Sequence, residues 1–193
     1  PLGYLRGSKN LRDDEGNLLI NPSDGLLIRD PELGKVGDPN PDFRLGLNTS
    51  LRYKGFFFNA HFDWTQGGDI YSTTINSYLG RGVTKDTEDR EHVWVIPGVY
   101  GDPNTGLPIL DADGNKIRNA TRLLTADLYF GESFGSNSAT EWNIFDATVY
   151  RLREVTLGYD FPRKWYSNTP FGSILLSVSG NNLWFHAPNI PKY

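Results

Sequence analysis

Residues 149–185 read VYRLREVTLGYDFPRKWYSNTPFGSILLSVSGNNLWF. Two long runs alternate apolar and polar residues around a short polar turn, and aromatics crowd their ends. Period-two alternation marks a β-strand with two unlike faces. A tilted strand of about 9–11 residues crosses the hydrocarbon core of a bilayer. The stretch therefore predicts strands of a transmembrane β-barrel. One irregularity stands out between Val149 and Phe161. Tyr150 and Leu152 share one parity, whereas Val155, Leu157, Tyr159 and Phe161 share the other. A β-bulge near Arg153-Glu154 reconciles the two. Pro162 ends the strand and Arg163 to Gly172 form the turn. Ile174, Leu176 and Val178 then share a face opposite Leu175, Ser177, Ser179 and Asn181.

The same pattern occurs upstream. Leu45, Leu47, Thr49, Leu51 and Tyr53 fall on one side of a strand, and Arg44, Asn48, Ser50 and Arg52 on the other. After Lys54-Gly55, the residues Phe56, Phe58, Ala60, Phe62 and Trp64 share a face against Phe57, Asn59, His61, Asp63 and Thr65. Two alternating arms around a tight turn predict a β-hairpin. Its polar side, rich in Arg, Asn, His and Asp, suits a wet lumen. Its apolar side suits lipid.

Between the hairpins lie segments dense in turn formers. Residues 1–42 carry Asp13-Asp14-Glu15-Gly16-Asn17, Asn21-Pro22-Ser23-Asp24-Gly25 and Gly37-Asp38-Pro39-Asn40-Pro41-Asp42. Such clusters make ordered turns, and Leu18-Leu19-Ile20 and Leu26-Leu27-Ile28 are expected to pair as small hairpins. Gly67-Gly68 closes the 43–65 hairpin. Asp69 is expected to cap a short helix through Tyr71, Ile75, Tyr78 and Leu79 to Gly80. Arg81 to Ala147 reads as loop. A loop of that length is foreign to a compact soluble domain but ordinary on the outer face of a barrel. The expected layout is an outer loop over 1–42, a hairpin over 43–65, a long outer loop over 66–147 and a hairpin over 148–183. The short turns belong on the periplasmic side. Four strands form an arc, and lipid does not tolerate open strand edges, so strands beyond this sequence are expected to complete the barrel.

Composition agrees with this reading. The 193 residues are 38% hydrophobic and 13% aromatic, with a net charge of −4. No apolar run is long enough for a membrane helix, and the absence of a basic block argues against a nucleic-acid partner. With no cysteine, disulfides and thiolate metal sites are excluded. With no methionine and Pro1 first, the chain is expected to be a segment of something longer.

Tyr150-Arg151-Leu152-Arg153-Glu154-Val155-Thr156-Leu157-Gly158-Tyr159 with Phe161-Pro162 resembles a late-barrel segment of SusC/RagA-type TonB-dependent outer-membrane transporters. Ser179-Gly180-Asn181-Asn182-Leu183 resembles the strand that follows it there. Gly37-Asp38-Pro39-Asn40-Pro41-Asp42-Phe43 and Gly67-Gly68-Asp69-Ile70-Tyr71 resemble two earlier segments, in the same order. The resemblance implies a C-terminal part of a 22-stranded barrel in the bacterial outer membrane of Bacteroidetes-type organisms. It implies active import of oligosaccharides or peptides with a SusD-like surface lipoprotein. The TonB complex would act through a plug absent from this chain.

Candidate chemistry is sparse. Asp111-Ala112-Asp113-Gly114-Asn115 starts like a calcium loop, but Lys116 and Arg122 stand where Gly and Glu are needed, which favours a plain turn. His61, His92 and His186 have no metal-ligand spacing. Asp86, Glu88, Asp89, Glu91, Glu132, Glu141 and Asp146 read as solvated loop carboxylates. No catalytic motif, metal site or cofactor site is expected. The lipid-facing set is expected to be Leu45, Leu47, Leu51, Phe56, Phe58, Phe62, Val155, Leu157, Tyr159, Ile174, Leu176 and Val178. Tyr53, Phe56, Tyr159, Phe161, Trp165 and Tyr166 suit an aromatic girdle on the turn side. Trp94, Tyr100, Tyr129 and Trp142 are candidates to touch substrate or a lipoprotein lid. With Phe130 and Phe134 they could equally form a small loop core. The alternative fold is a soluble carbohydrate-binding β-sandwich, which also shows alternating strands and surface aromatics.

Overall fold

A computed structural model of the chain describes residues 3–190. Residues 1–2, at the start of the expected outer loop over 1–42, and residues 191–193 lie outside the described residues. These divide into two compact units, one holding residues 41–68 and 146–190 and the other residues 3–40 and 69–145.

The first unit is an antiparallel sheet of four long strands. They are β1 (Phe43–Tyr53), β2 (Phe56–Gln66), β3 (Val149–Asp160) and β4 (Leu175–His186). Their order across the sheet is β4-β3-β2-β1. Lys54 and Gly55, with φ of 47° and 88°, form the two-residue turn between β1 and β2. Two successive positive-φ residues give the turn whose twist matches the flanking strands. A Cβ on Gly55 would lie 2.8 Å from the Asp160 carbonyl oxygen, so glycine is required twice over.

Registers decide which side chains share a face. Leu45, Leu47 and Leu51 stand opposite Trp64, Phe62 and Phe58. Phe58, Ala60, Phe62 and Trp64 stand opposite Leu157, Val155, Leu152 and Tyr150. The pairing shifts between His61 and Phe62, leaving Arg153 as the extra residue of β3. This is the bulge expected from the phase slip. A second bulge, not anticipated, lies in β4, where the register jumps from Asn181–Glu154 to Trp184–Leu152. Asn182 takes φ 52° there, a conformation asparagine tolerates better than most residues. Together the bulges keep Tyr150, Leu152 and Trp184 on the face of Val155, Leu157 and Val178.

The second unit is built from short pieces. The Leu11 N–H donates to the Ile28 carbonyl, Ile28 to Leu19 and Leu19 to Leu11, a closed triangle with bonds of 2.9, 3.0 and 2.9 Å. Tyr100 donates to Ile117, Ile117 to Ile109 and Ile109 to Tyr100, at 2.8, 3.1 and 2.8 Å. The motif is thus present twice. Each copy contains an Asp-x-x-Gly-Asn turn, Asp13–Asn17 or Asp111–Asn115. In each, the first Asp accepts backbone N–H bonds from the residues two and four places on. Each copy also contains an Asn/Asp-Pro-x-x-Gly turn, Asn21–Gly25 or Asp102–Gly106, and the order of the two turns is swapped. Leu19–Ile20 pairs in parallel with Val99–Tyr100 to join the copies. Leu19, Ile28 and Val99 fill the junction, and Ile20, Ile96 and Leu123 form a second buried cluster.

The short helix differs from expectation. It is α1 (Thr73–Gly80), and its N-cap is Ser72, whose Oγ accepts from the Ile75 N–H. Asp69 instead lies in an extended segment, where its carboxylate accepts from the Asp38 N–H at 2.7 Å. That bond occupies the side chain that would have capped a helix. Residues 127–134 form a short, wide helix that alternation could not reveal.

Candidate functional site

The four-stranded sheet presents two chemically opposite faces. One carries Leu45, Leu47, Leu51, Phe56, Phe58, Phe62, Val155, Leu157, Tyr159, Leu176 and Val178, joined row by row through the registers. Leu47, Leu51, Leu157, Leu176 and Val178 are all more than half exposed. Ile174 precedes β4, and its carbonyl accepts from the Phe161 N–H at 2.9 Å. An exposed apolar face of this extent marks contact with something apolar.

Aromatic rings close both ends of that face. At the Lys54-Gly55 end Phe56 meets Tyr159 at 4.4 Å, and Tyr159 meets Phe161 and Trp165 at 5.0 and 6.2 Å. Tyr53 is 70% exposed at this level, whereas Tyr166 is buried. At the far end Phe43, Trp64, Tyr150, His186 and Trp184 form a chain of ring contacts of 4.8–6.3 Å across all four strands. This second belt was missed in the sequence, because its members come together only once the registers are set. From Phe56 to Trp64 the strand runs about 27 Å. A tilt of roughly 40° brings that to about 20 Å along a membrane normal, near the apolar band of about 25 Å between the girdles of outer-membrane barrels.

The opposite face is polar and internally bonded. His61 lies between Asn48 Oδ1 at 2.5 Å and Asp63 Oδ1 at 2.7 Å, and Arg153 Nε donates to Asp63 Oδ2 at 2.6 Å. Thr156 Oγ1 donates to Glu154 at 2.9 Å and lies 2.7 Å from the Ser179 hydroxyl. Phe57, the aromatic exception in this neighbourhood, packs against Gly158 and under the Arg52 guanidinium. Two unlike faces on one sheet can separate an apolar phase from a polar interior.

No protein-family model matches the chain. It is 29% identical over 177 residues to TonB-dependent receptor P3 of Formosa agariphila, a match covering 92% of this chain and 14% of that receptor. It is 32% identical over 127 residues to TonB-dependent receptor P26 of the same organism, covering 60% of this chain and 12% of that receptor. The chain is homologous to a segment of TonB-dependent receptors. It therefore spans only a small share of the length of the relatives it matches. Its antiparallel sheet is that of an outer-membrane β-barrel, and its location is the bacterial outer membrane.

The loop aromatics are placed together in the other unit. Trp94 stacks on Tyr129 at 5.7 Å, Tyr129 meets Phe134 at 5.0 Å, and Phe134 meets Trp142 at 4.8 Å. Burial raises the Tyr129 phenol above its ordinary value. Trp142 Nε1 donates to Asn10 Oδ1 at 2.7 Å, and the Arg12 guanidinium lies 5.9 Å from its ring. Tyr100 stands apart from this cluster. Its oxygen lies 3.0 Å from the Thr121 hydroxyl and accepts the Ala120 N–H, which lowers its phenol. Among the described residues no group of three metal-ligating side chains converges. The Asp111 carboxylate is occupied by the backbone of its own turn.

Lys116 forms the tightest ionic feature of this unit. Its ammonium lies 2.9 Å from Asp13, 2.5 Å from Asp14 and 3.2 Å from Glu15, so the second copy of the repeated motif is clamped to the first. Burial alone would raise the Asp13 carboxyl. Bonds from Asn17, Lys116 and two backbone N–H groups outweigh it and hold the group down to about 2. Lys116 is correspondingly raised, chiefly by Asp14 and then by Asp13.

Proposed function

We propose that this chain forms part of the wall and outer loops of a SusC/RagA-type active transporter. Residues 43–65 and 148–183 are the wall hairpins. Residues 1–42 and 66–147 are loops on the outer side. The apolar face touches acyl chains and the polar face lines the interior. The cargo is an oligosaccharide or a peptide, held beneath a SusD-like lipoprotein, and the TonB complex supplies the energy. Transport rather than catalysis is the role. Trp94, Tyr100, Tyr129 and Trp142 belong to the loop unit on the cargo side, with the aromatic ladder stiffening it.

One observation carries this reading. The apolar face continues across four strands and two bulges, with aromatic belts at both ends. A bulge that rescues side-chain parity is needed only where the two faces meet different solvents. The test uses cells that produce the full-length protein. Labelled oligosaccharide and peptide uptake is measured with and without functional TonB, and a tagged receptor is purified in detergent to identify a co-purifying surface lipoprotein. TonB-dependent uptake with the lipoprotein attached is expected. A protein that is monodisperse without detergent, as a sandwich would be, overturns the proposal.

A further inference from the structure

The polar face holds more positive charge near its Phe43 end than its own acids can neutralise. Arg44, Arg151 and Arg153 line one groove of about 520 Å³ with Asp63, Thr65 and Val149. Asp63 is the sole carboxylate there, and it is already engaged by Arg153 and His61. Among the described residues the side chains of Arg44 and Arg151 make no hydrogen bond or ion pair. Arg153 commits its Nε and keeps its terminal nitrogens free of such contacts. Arg151 and Arg153 also border a neighbouring groove with Asn182 and Phe185. Phe185 stands opposite Arg151 in the register and is 72% exposed on this polar face. Phe57 is covered by Arg52 and rests on Gly158, whereas Phe185 makes no ring or cation contact among the described residues.

A guanidinium presents a planar fork matched to a carboxylate. An exposed ring beside it offers a flat apolar surface to the C–H face of a pyranose. We infer that Arg44, Arg151 and Arg153, with Phe185 at the rim, form a binding site for a carboxylate-bearing sugar. This deepens the transporter reading and rests on it, because the polar face must line the interior for cargo to reach the site. The groove is of the size that takes a small ligand. The uronate carboxylate would bridge Arg44 and Arg151, with Arg153 held in place by Asp63.

The full-length protein in detergent supplies the test, with an oligogalacturonate, a neutral oligosaccharide of equal length and a glutamate-rich peptide as probes. Binding is followed by calorimetry at low and high salt. The site predicts oligogalacturonate binding that weakens with salt and falls at least about tenfold in an Arg44→Gln/Arg151→Gln variant. Arg151→Lys, which keeps charge but loses the fork, is expected to fall between, and Phe185→Ala to weaken the sugar but not the peptide. Equal affinity in wild type and the double variant, or neutral sugar bound as tightly as the uronate, overturns the site. Tighter binding of the peptide overturns the sugar assignment. A label on an Arg44→Cys variant reports separately on the barrel reading. If that label is lipid-exposed, the orientation of the wall has failed, whatever the binding result.

Discussion

Replacing Leu47 by arginine tests the assigned faces at their most sensitive point. Leu47 lies near the middle of the 11-residue strand β1 and stands opposite Phe62, which stands opposite Leu152. A strand of that length covers about 37 Å, or about 26 Å along the normal at a 45° tilt, so Leu47 falls close to the bilayer midplane. An arginine on the lipid face costs about 2–4 kcal/mol there and about 0–1 kcal/mol near the interfaces. Leu47→Arg should therefore lower the folding equilibrium by about two decades, and Tyr53→Arg at the turn end by less than one. Ser50→Arg, on the opposite face of the same strand, should stay within about 0.5 kcal/mol. The assay is guanidinium unfolding of the full-length protein in phospholipid vesicles, followed by tryptophan fluorescence. Equal costs for Leu47→Arg and Ser50→Arg, or a larger cost for Ser50→Arg, would refute the facial assignment.

Gly55→Ala forces a side chain into a φ of 88° and against the Asp160 carbonyl. It should destabilise by more than about 1 kcal/mol, whereas Lys54→Asn should be neutral or slightly stabilising in the same unfolding assay. Deleting Arg153 takes the extra residue out of β3, so Glu154 and Leu152 follow each other opposite His61 and Phe62, and Tyr150 and Leu152 keep the apolar face by plain alternation. The full-length protein should then keep the gel-mobility shift of a folded barrel, as should Arg153→Ala, and loss of the shift in the deletion alone would contradict the bulge assignment. Asp13 is held at about 2, below its ordinary 3.8. Its contribution is complete above the ordinary value and is lost as pH falls through about 2, at most about 2 kcal/mol and less after solvent screening. Pepsin cleavage within residues 11–20 should rise as pH drops from 4 to 2, and Lys116→Gln should raise cleavage already at pH 4.

The strands and the tight turn were legible because alternation and a Lys-Gly pair are local signals. The Arg153 bulge was legible for the same reason, as parity changes within a few residues of one strand. The Asn182 bulge was not, because the slip appears only against Leu152 of a neighbouring strand. The far aromatic belt draws one or two residues from each of four strands, so spacing along the chain carries no trace of it. Asp69 failed as a helix cap because a partner 31 residues earlier, Asp38, had a stronger use for its carboxylate. The duplicated triangle does leave a signal, in the twin Asp-x-x-Gly-Asn turns at 13–17 and 111–115, but the hydrogen bonds that make them a pair join residues far apart in the chain. Arg44 and Arg151 were legible only as lumen-side polar residues, since their convergence on one groove depends on the registers of three strands.

The apolar face of this sheet meets lipid or it does not, and spin labels answer directly. These 193 residues contain no cysteine, so single Cys substitutions from position 44 to 52 label one site each within the segment. In the full-length protein in vesicles, oxygen accessibility should peak at 45, 47, 49 and 51 and fall at 44, 46, 48, 50 and 52. A flat profile, or one with the two parities exchanged, would contradict the account.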